Sequence, residues 1–322
     1  MIGRITTEGV VIEISQPLYP QPKFIVTGPD GNLWFTQDDS CDNGFSSVGR
    51  MTPAGVLTEF WQPFCRVLGD ITVGPDGNLW FTWNGQSVPF VFSYGVSRIT
   101  PTGVVTDFPV PRAVGIAAGP DGAIWFTEGG SVYSGEGGLD RIGRVTATGA
   151  VSEFALPAGS APTGIAAGPD GNLWFTESSG NKIGHMTTTG TVTEFPIPTP
   201  GSRPMHITHG PDGNLWFTEE LGNRIGRITT AGAITEFPIP LPDSRPFDIT
   251  SGPDGNIWFT HLRANSIGRL NVVRAGPGPQ IPKIVPTPRG TPAPIPFRTS
   301  SADSTTGNAC QRGCEALLEQ LQ

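Results

Sequence analysis

The sequence predicts an all-β fold, a β-propeller of four-stranded antiparallel blades, and three observations lead to it. The stretch GPDGNLWFT at 28–36 returns at 74–82, 119–127, 168–176, 210–218 and 252–260, spaced about 42 to 49 residues apart. A second stretch, IGRIT at 2–6, returns at 48–52, 96–100, 142–146, 183–187, 225–229 and 267–271 in the forms VGRMT, VSRIT, IGRVT, IGHMT, IGRIT and IGRLN. Between them lie runs such as AITEF at 233–237, whose apolar–polar alternation has the period of a half-buried strand. A unit repeated at this spacing buries its faces only by stacking on its neighbours.

Strand A of each unit enters the turn, at 24–27, 70–73, 115–118, 164–167, 206–209 and 248–251. In GPDG the Pro presets φ, the Asp bonds its own backbone two residues on and the Gly accepts positive φ, so the chain reverses there. A single Asp per turn is a turn signal, because a hard cation needs several oxygen ligands converging. The aromatic LWFT run is strand B, IGRIT is strand C and VTEF is strand D, with A innermost and D outermost. Alternating direction puts the A–B and C–D turns on one face and the B–C and D–A connections on the other. The B–C loops are long in the first three units (37–47, 83–95, 128–141) and short in the last three (177–182, 219–224, 261–266). Function is expected on this variable face, since loops on a rigid scaffold carry binding groups.

The strand count is uneven, with six A, six B, seven C and six D. A seven-bladed ring with an incomplete opening blade is expected; the alternative is a closed six-bladed ring with 10–14 lying beside 266–271. The propeller should span 1–271, followed by a Pro-rich and polar linker at 272–309, largely disordered, and a short helix at 310–322.

Eight Trp and eighteen Phe supply bulk for a sizeable core. A net charge of −8 without a basic patch argues against a nucleic-acid partner. No apolar run reaches the roughly 18 residues that cross a membrane, and Met1 does not open a signal peptide. Cys41 and Cys65 fall on one face in adjacent blades, so a disulfide is expected there, and with it an extracellular or cell-surface location. The expected partner is a small molecule or polymer on the B–C/D–A face of a monomer.

Candidate site residues are those that break the repeat. The position after WFT holds Gln37, Trp83, Glu128, Glu177, Glu219 and His261. The three successive glutamates read as a structural ring bonding the neighbouring blade's backbone. His261, His206, His209, Asp70, Asp248 and Trp83 have no such shared duty and are candidates for ligand contact. His206 and Asp248 share one strand A position where two other blades have Gly115 and Gly164, which suggests an inner site kept open or polar. With Glu219 or Glu220 they would hold a divalent cation or act as base and acid; the alternative is an ordinary polar lining of a wet channel. Arg203 and Arg245 precede Pro in consecutive blades and would clamp a carboxylate or phosphate, unless they are simply solvated.

The units GPDGNLWFTE (168–177, 210–219), NKIGHMT and NRIGRIT (181–187, 223–229), and EFPIP followed by SRP (194–204, 236–246) resemble the repeats of the virginiamycin B lyases over residues 1–271. The resemblance implies a seven-bladed propeller that opens cyclic streptogramin antibiotics by Mg²⁺-assisted elimination at the ester linkage. It also implies where the chemistry sits, and those four positions hold Met205, Arg245, Phe247 and Leu262 in place of the family's His, Glu, His and Glu. His206, Asp248 and His261 stand one residue away, and adjacent residues of a regular strand face opposite ways. The leading expectation is therefore a ligand-binding module without lyase chemistry and with no certain cofactor. The alternatives are a Mg²⁺-dependent C–O lyase, or a related lactone or ester enzyme, built on His206, Asp248, His261 and Glu219, and a structural or protein-interaction propeller.

Overall fold

A computed structural model describes residues 2–6, 10–13, 21–38, 46–62, 66–88, 91–129, 139–264, 266–272 and 284–286. A two-stranded sheet comes first, β1 (Gly3–Ile5) with β2 (Val11–Glu13). Six four-stranded antiparallel sheets follow in a ring, each a simple meander. Blade one is β3 (Gln21–Thr27), β4 (Leu33–Asp38), β5 (Ser46–Met51) and β6 (Leu57–Trp61). Blade two is β7 (Arg66–Val73), β8 (Leu79–Val88), β9 (Val91–Ile99) and β10 (Val105–Pro109). Blade three is β11 (Ile116–Ala118), β12 (Ile124–Thr127), β13 (Arg141–Val145) and β14 (Val151–Ala155). Blade four is β15 (Pro162–Ala167), β16 (Leu173–Glu177), β17 (Lys182–Met186) and β18 (Val192–Pro196). Blade five is β19 (Pro204–His209), β20 (Leu215–Glu219), β21 (Arg224–Ile228) and β22 (Ile234–Pro238). Blade six is β23 (Pro246–Ser251), β24 (Ile257–His261), β25 (Ser266–Leu270) and β26 (Ile284–Pro286).

The architecture is thus a six-bladed β-propeller, the alternative of the two closures, and among the described residues β1–β2 form a separate two-stranded sheet against blade one. Its register, Gly3 opposite Glu13, repeats that of β13–β14, where Gly143 faces Glu153. Ile2 is buried against Phe35 and Met51 of blade one, as Ile225 of blade five is against Phe259 and Leu270 of blade six. The closing strand also differs from expectation. Residues 11–13 pair locally with 3–5 through a short turn in which Thr6 N donates to Val10 O at 2.9 Å, a closure that costs little loop entropy. The outer strand of blade six is instead β26, which comes from the stretch expected to be linker and pairs with Gly268–Leu270. The expected helix at 310–322 and both Cys41 and Cys65 lie outside the described residues.

Each turn works as its residues dictate. In the first, Gly28 N donates to Asn32 O at 2.8 Å, Gly31 has φ 74°, and Asp30 Oδ1 accepts from Trp34 Nε1 at 3.0 Å. The same Asp–Trp bond recurs in all six turns, at 2.9 to 3.1 Å. Against the opposing effect of burial, bonds from the Asn two residues on and from this Trp hold Asp30, Asp76, Asp170 and Asp254 below the ordinary carboxylate pKa, and bonds from Trp125 and Arg144 do the same for Asp121.

Alternation along strand B joins blade to blade. Trp174 faces forward into a cluster with Leu215, Phe217 and Ile228 of blade five, while Phe175 faces back into the cluster that holds Trp125 and Ile142 of blade three. Thr176, on the same side as Trp174, donates its hydroxyl to Met205 O of the next blade at 2.6 Å and accepts from Gly164 N of its own at 2.9 Å. Equivalent forward bonds run from Thr36 to Gly69 O, Thr82 to Val114 O, Thr127 to Thr163 O and Thr218 to Phe247 O. The link to the neighbouring backbone that the sequence suggested for the glutamates is made by these threonines.

Removing one such hydroxyl strands a buried carbonyl and a buried N–H. Thr176→Val should lower unfolding stability by about 1–3 kcal/mol, read from the urea midpoint, and Thr176→Ser should restore most of it. A loss in Thr176→Ser with none in Thr176→Val would show that the methyl group, not the hydroxyl, matters.

Candidate functional site

The inner strands are not regular. Pairing slips between Pro204 and Ile207 in β19, between Pro246 and Ile249 in β23, and at matching places in β3, β7 and β15. Each slip is a β-bulge, an extra residue that re-aims the side chains beside it. The threonine network holds it: His206 N and Asp248 N donate to Thr218 and Thr260 Oγ1, both at 3.1 Å, and the carbonyls of Met205 and Phe247 accept from the preceding blades. The alternation expected of a regular strand therefore does not apply at these positions, and His206 and Asp248 line the axial cavity. A lone glycine inside a strand is the sequence sign of a bulge, and Gly164, within the slip of β15, is that sign, whereas Gly115 precedes β11, whose pairing shows no slip. Their lack of a side chain serves close approach rather than an open site. A Cβ on Gly115 would lie 2.3 Å from Thr163 O, and one on Gly164 would lie 2.6 Å from Met205 O.

The cavity encloses about 390 Å³ among the inner strands of blades two to six. Of the residues singled out from sequence it brings together Asp70, His206, His209 and Asp248. His206 Nδ1 stands 3.5 Å from Asp248 Oδ1, and its ring lies 4.8 Å from Phe247, edge-on, and 5.9 Å from Phe24. Asp70 accepts Ile71 N at 2.8 Å and Ile116 N at 3.1 Å. Burial pushes its carboxyl up to about 6, with nearby Asp248 adding to the rise and His206 opposing it. His209 lines the cavity at the other end of its strand, next to the turn at Gly210.

The remaining candidates lie outside the cavity lining. Trp83 is buried in the blade core with Leu68 and Ile71 and carries the Arg66 guanidinium 3.9 Å above its ring. Arg203 and Arg245 both turn to Glu220, a buried carboxylate reached at 3.4 and 3.3 Å, so the two cations already face an internal anion. His261 packs edge-on against Phe259, and burial lowers its pKa. Glu219 points into its blade with Glu236 and Ser202. It and its counterparts Glu128 and Glu177 are fully buried, and their carboxyl oxygens have no partner at hydrogen-bonding geometry. Burial and then the facing Glu153 push Glu128 up to about 7, while burial and Glu236 push Glu219 up to about 8. Glu177 is raised in the same way by burial and Glu194.

These features define a β-propeller whose bulged inner strands frame one axial cavity. The model of the Virginiamycin B lyase family matches residues 1–132 and 129–277, and the chain belongs to that family. It is similar to the crystal structure of virginiamycin B lyase from Staphylococcus aureus, at 37% identity over 85% of this chain and 86% of that one, with a TM-score of 0.71. A streptogramin B lyase structure is 36% identical over 85% and 84% of the two chains, also with a TM-score of 0.71. A catalytically inactive variant of the Staphylococcus aureus enzyme, solved with quinupristin, is 37% identical over 83% and 84%, with a TM-score of 0.68. Comparison with curated proteins found no match.

The Mg²⁺ that the resemblance implies does not fit the four positions where it would be used. Met205 is buried and apolar, Arg245 is a cation bound to Glu220, Phe247 lies against His206, and Leu262 is half-exposed. None supplies the oxygen or imidazole donor such an ion takes. Among the described residues no group of three or more His, Cys, Asp or Glu is placed to share a metal ion.

The raised glutamates give stability a definite slope with pH. Each binds its proton more tightly folded than unfolded, so its contribution is fully present below the ordinary value of 4.5 and is lost as pH rises through about 7 to 8. The melting temperature should therefore fall between pH 5.5 and 8.5, and Glu219→Gln should flatten that fall. A melting temperature that rises over this range would mean that the glutamates are ionised in the fold.

Proposed function

We propose that this chain is a ligand-binding member of the virginiamycin B lyase family that does not perform the lyase reaction. One observation carries the reading: the four positions to which the resemblance assigns chemistry hold a thioether, a guanidinium, a phenyl ring and an isobutyl group. None can take a proton from carbon at neutral pH or polarise a carbonyl as a metal-bound site would. The cavity itself suits a ligand, being concave, walled by Ile71, Ile116, Ile207 and Ile249, and furnished with a few polar groups. The B–C/D–A face adds exposed apolar groups in Trp61, Leu139, Leu221 and Leu262, available to a ligand larger than the cavity.

The pairing of His206 with Asp248 favours a second reading, general base catalysis of a different reaction within the same cavity. The two readings separate in one experiment. Purified protein with Mg²⁺ should leave a streptogramin B antibiotic intact over hours, while a set of small fragments should shift amide resonances of Ile116–Ala118 and of residues 205–209. Ring opening above the buffer rate that disappears in His206→Ala, with the melting temperature unchanged, would show the chain to be an enzyme.

A further inference from the structure

Directly before Ile25, Ile71, Ile116, Ile165, Ile207 and Ile249 of the six inner strands stand Phe24, Asp70, Gly115, Gly164, His206 and Asp248. The two glycines contribute no side chain, so the side chains lining this end of the cavity are two carboxylates and one imidazole, and the Phe24 ring stands behind the imidazole, 5.9 Å from it. Phe247, next to Asp248, brings a second ring against His206. The carboxylates are fixed by the fold: Asp70 holds two backbone N–H groups, and Asp248 Oδ1 accepts Ile249 N at 2.9 Å. Each carboxylate still has free lone pairs, because four acceptor sites are only partly used.

Balancing charge can come from the lining through histidine alone. Among the residues lining the cavity there are two aspartates, two histidines and no lysine or arginine. Negative charge in a partly desolvated site favours a cation. A small metal ion would require three or more ligating side chains to converge, and they do not. A larger, soft cation needs no such tight cage; it is satisfied by carboxylates at one side and by the faces of aromatic rings at another. Phe24 and Phe247 are each half-exposed beside His206, so ring surface is within reach.

We propose that the Asp70–His206–Asp248 end of the axial cavity is a subsite for an organic ammonium group, with Phe24 and Phe247 contacting its alkyl substituents. The inference rests on the reading that the cavity takes a ligand, and it specifies the charge and kind of group that enters. Asp70 and Asp248 supply the attraction. His206 stands between blades beside Asp248, 3.5 Å from its carboxylate.

Choline and its neutral tert-butyl analogue, in which carbon replaces the nitrogen, test it on the full chain. Choline should shift the amide resonances of Ile71, Ile116 and Ile249, whose N–H groups hold the two carboxylates, and should bind roughly tenfold more tightly than the neutral analogue. Asp70→Asn and Asp248→Asn should each remove most of that preference without changing the weak binding of the analogue. Asp248 is 45% exposed at its side chain, so its variant keeps the test readable if Asp70→Asn unfolds. Equal binding of the two compounds, or choline binding unchanged by Asp248→Asn, would overturn the ammonium subsite. Cavity shifts caused by uncharged fragments but not by choline would overturn the subsite and leave the ligand-binding reading standing; no cavity shift by any compound would overturn both.

Discussion

The molecule depends on one hydroxyl per blade. The threonine that ends the WFT run gives a bond to the inner strand ahead in blades one to five, and in blades one, three, four and five it also accepts one from its own inner strand, so it spans the seam between blades near the axis. The bond has a geometric price, because the inner strand must present a carbonyl outward and an N–H backward within two residues. A bulge meets that demand. Cohesion of the ring and orientation of the cavity-facing side chains are thus one interaction seen from two sides.

This explains why function-bearing variation collects where it does. The residue just before the paired isoleucine of the inner strand is held through its backbone N–H by the threonine, so in four blades its side chain differs freely, while in blades three and four a Cβ would meet a carbonyl of the next blade and glycine stands there. Phenylalanine, aspartate, glycine and histidine all occur there. The neighbouring rim is constrained differently. Arg203, Arg245, Arg263, Asp243 and Glu220 form a chain of ion pairs around a buried carboxylate, and the positive-φ backbone of Arg203 and Arg245 is set by the same connections. Charge on the rim is matched internally, while charge at the cavity end is not.

Much of this was legible in the chain. Recurrence of GPDG, LWFT and IGRIT gave the blades, their order and the variable face, because turn chemistry and period-two alternation are local properties. Two kinds of feature escaped. Gly115 and Gly164 looked like room left for a ligand, yet they yield to a carbonyl from the next blade, a contact between residues some forty positions apart. Strand parity failed for the same reason: the bulge that places His206 and Asp248 is imposed by a neighbour's threonine, not by the strand's own residues. Nor does composition show that three residues of a Pro-rich stretch will complete blade six, since pairing there is decided by the open edge of β25.

The ends of the outer strands carry a further consequence. Pro109, Pro196, Pro238 and Pro286 each close the outermost strand of a blade. An outer strand presents a row of unpaired amides, which is a template for adding strands from other molecules. Proline has no amide hydrogen to offer, and its ring obstructs an approaching backbone. In these four blades the end of the outer edge is thereby a poorer template for strands from another molecule than the ends of β6 and β14, which close on Trp61 and Ala155.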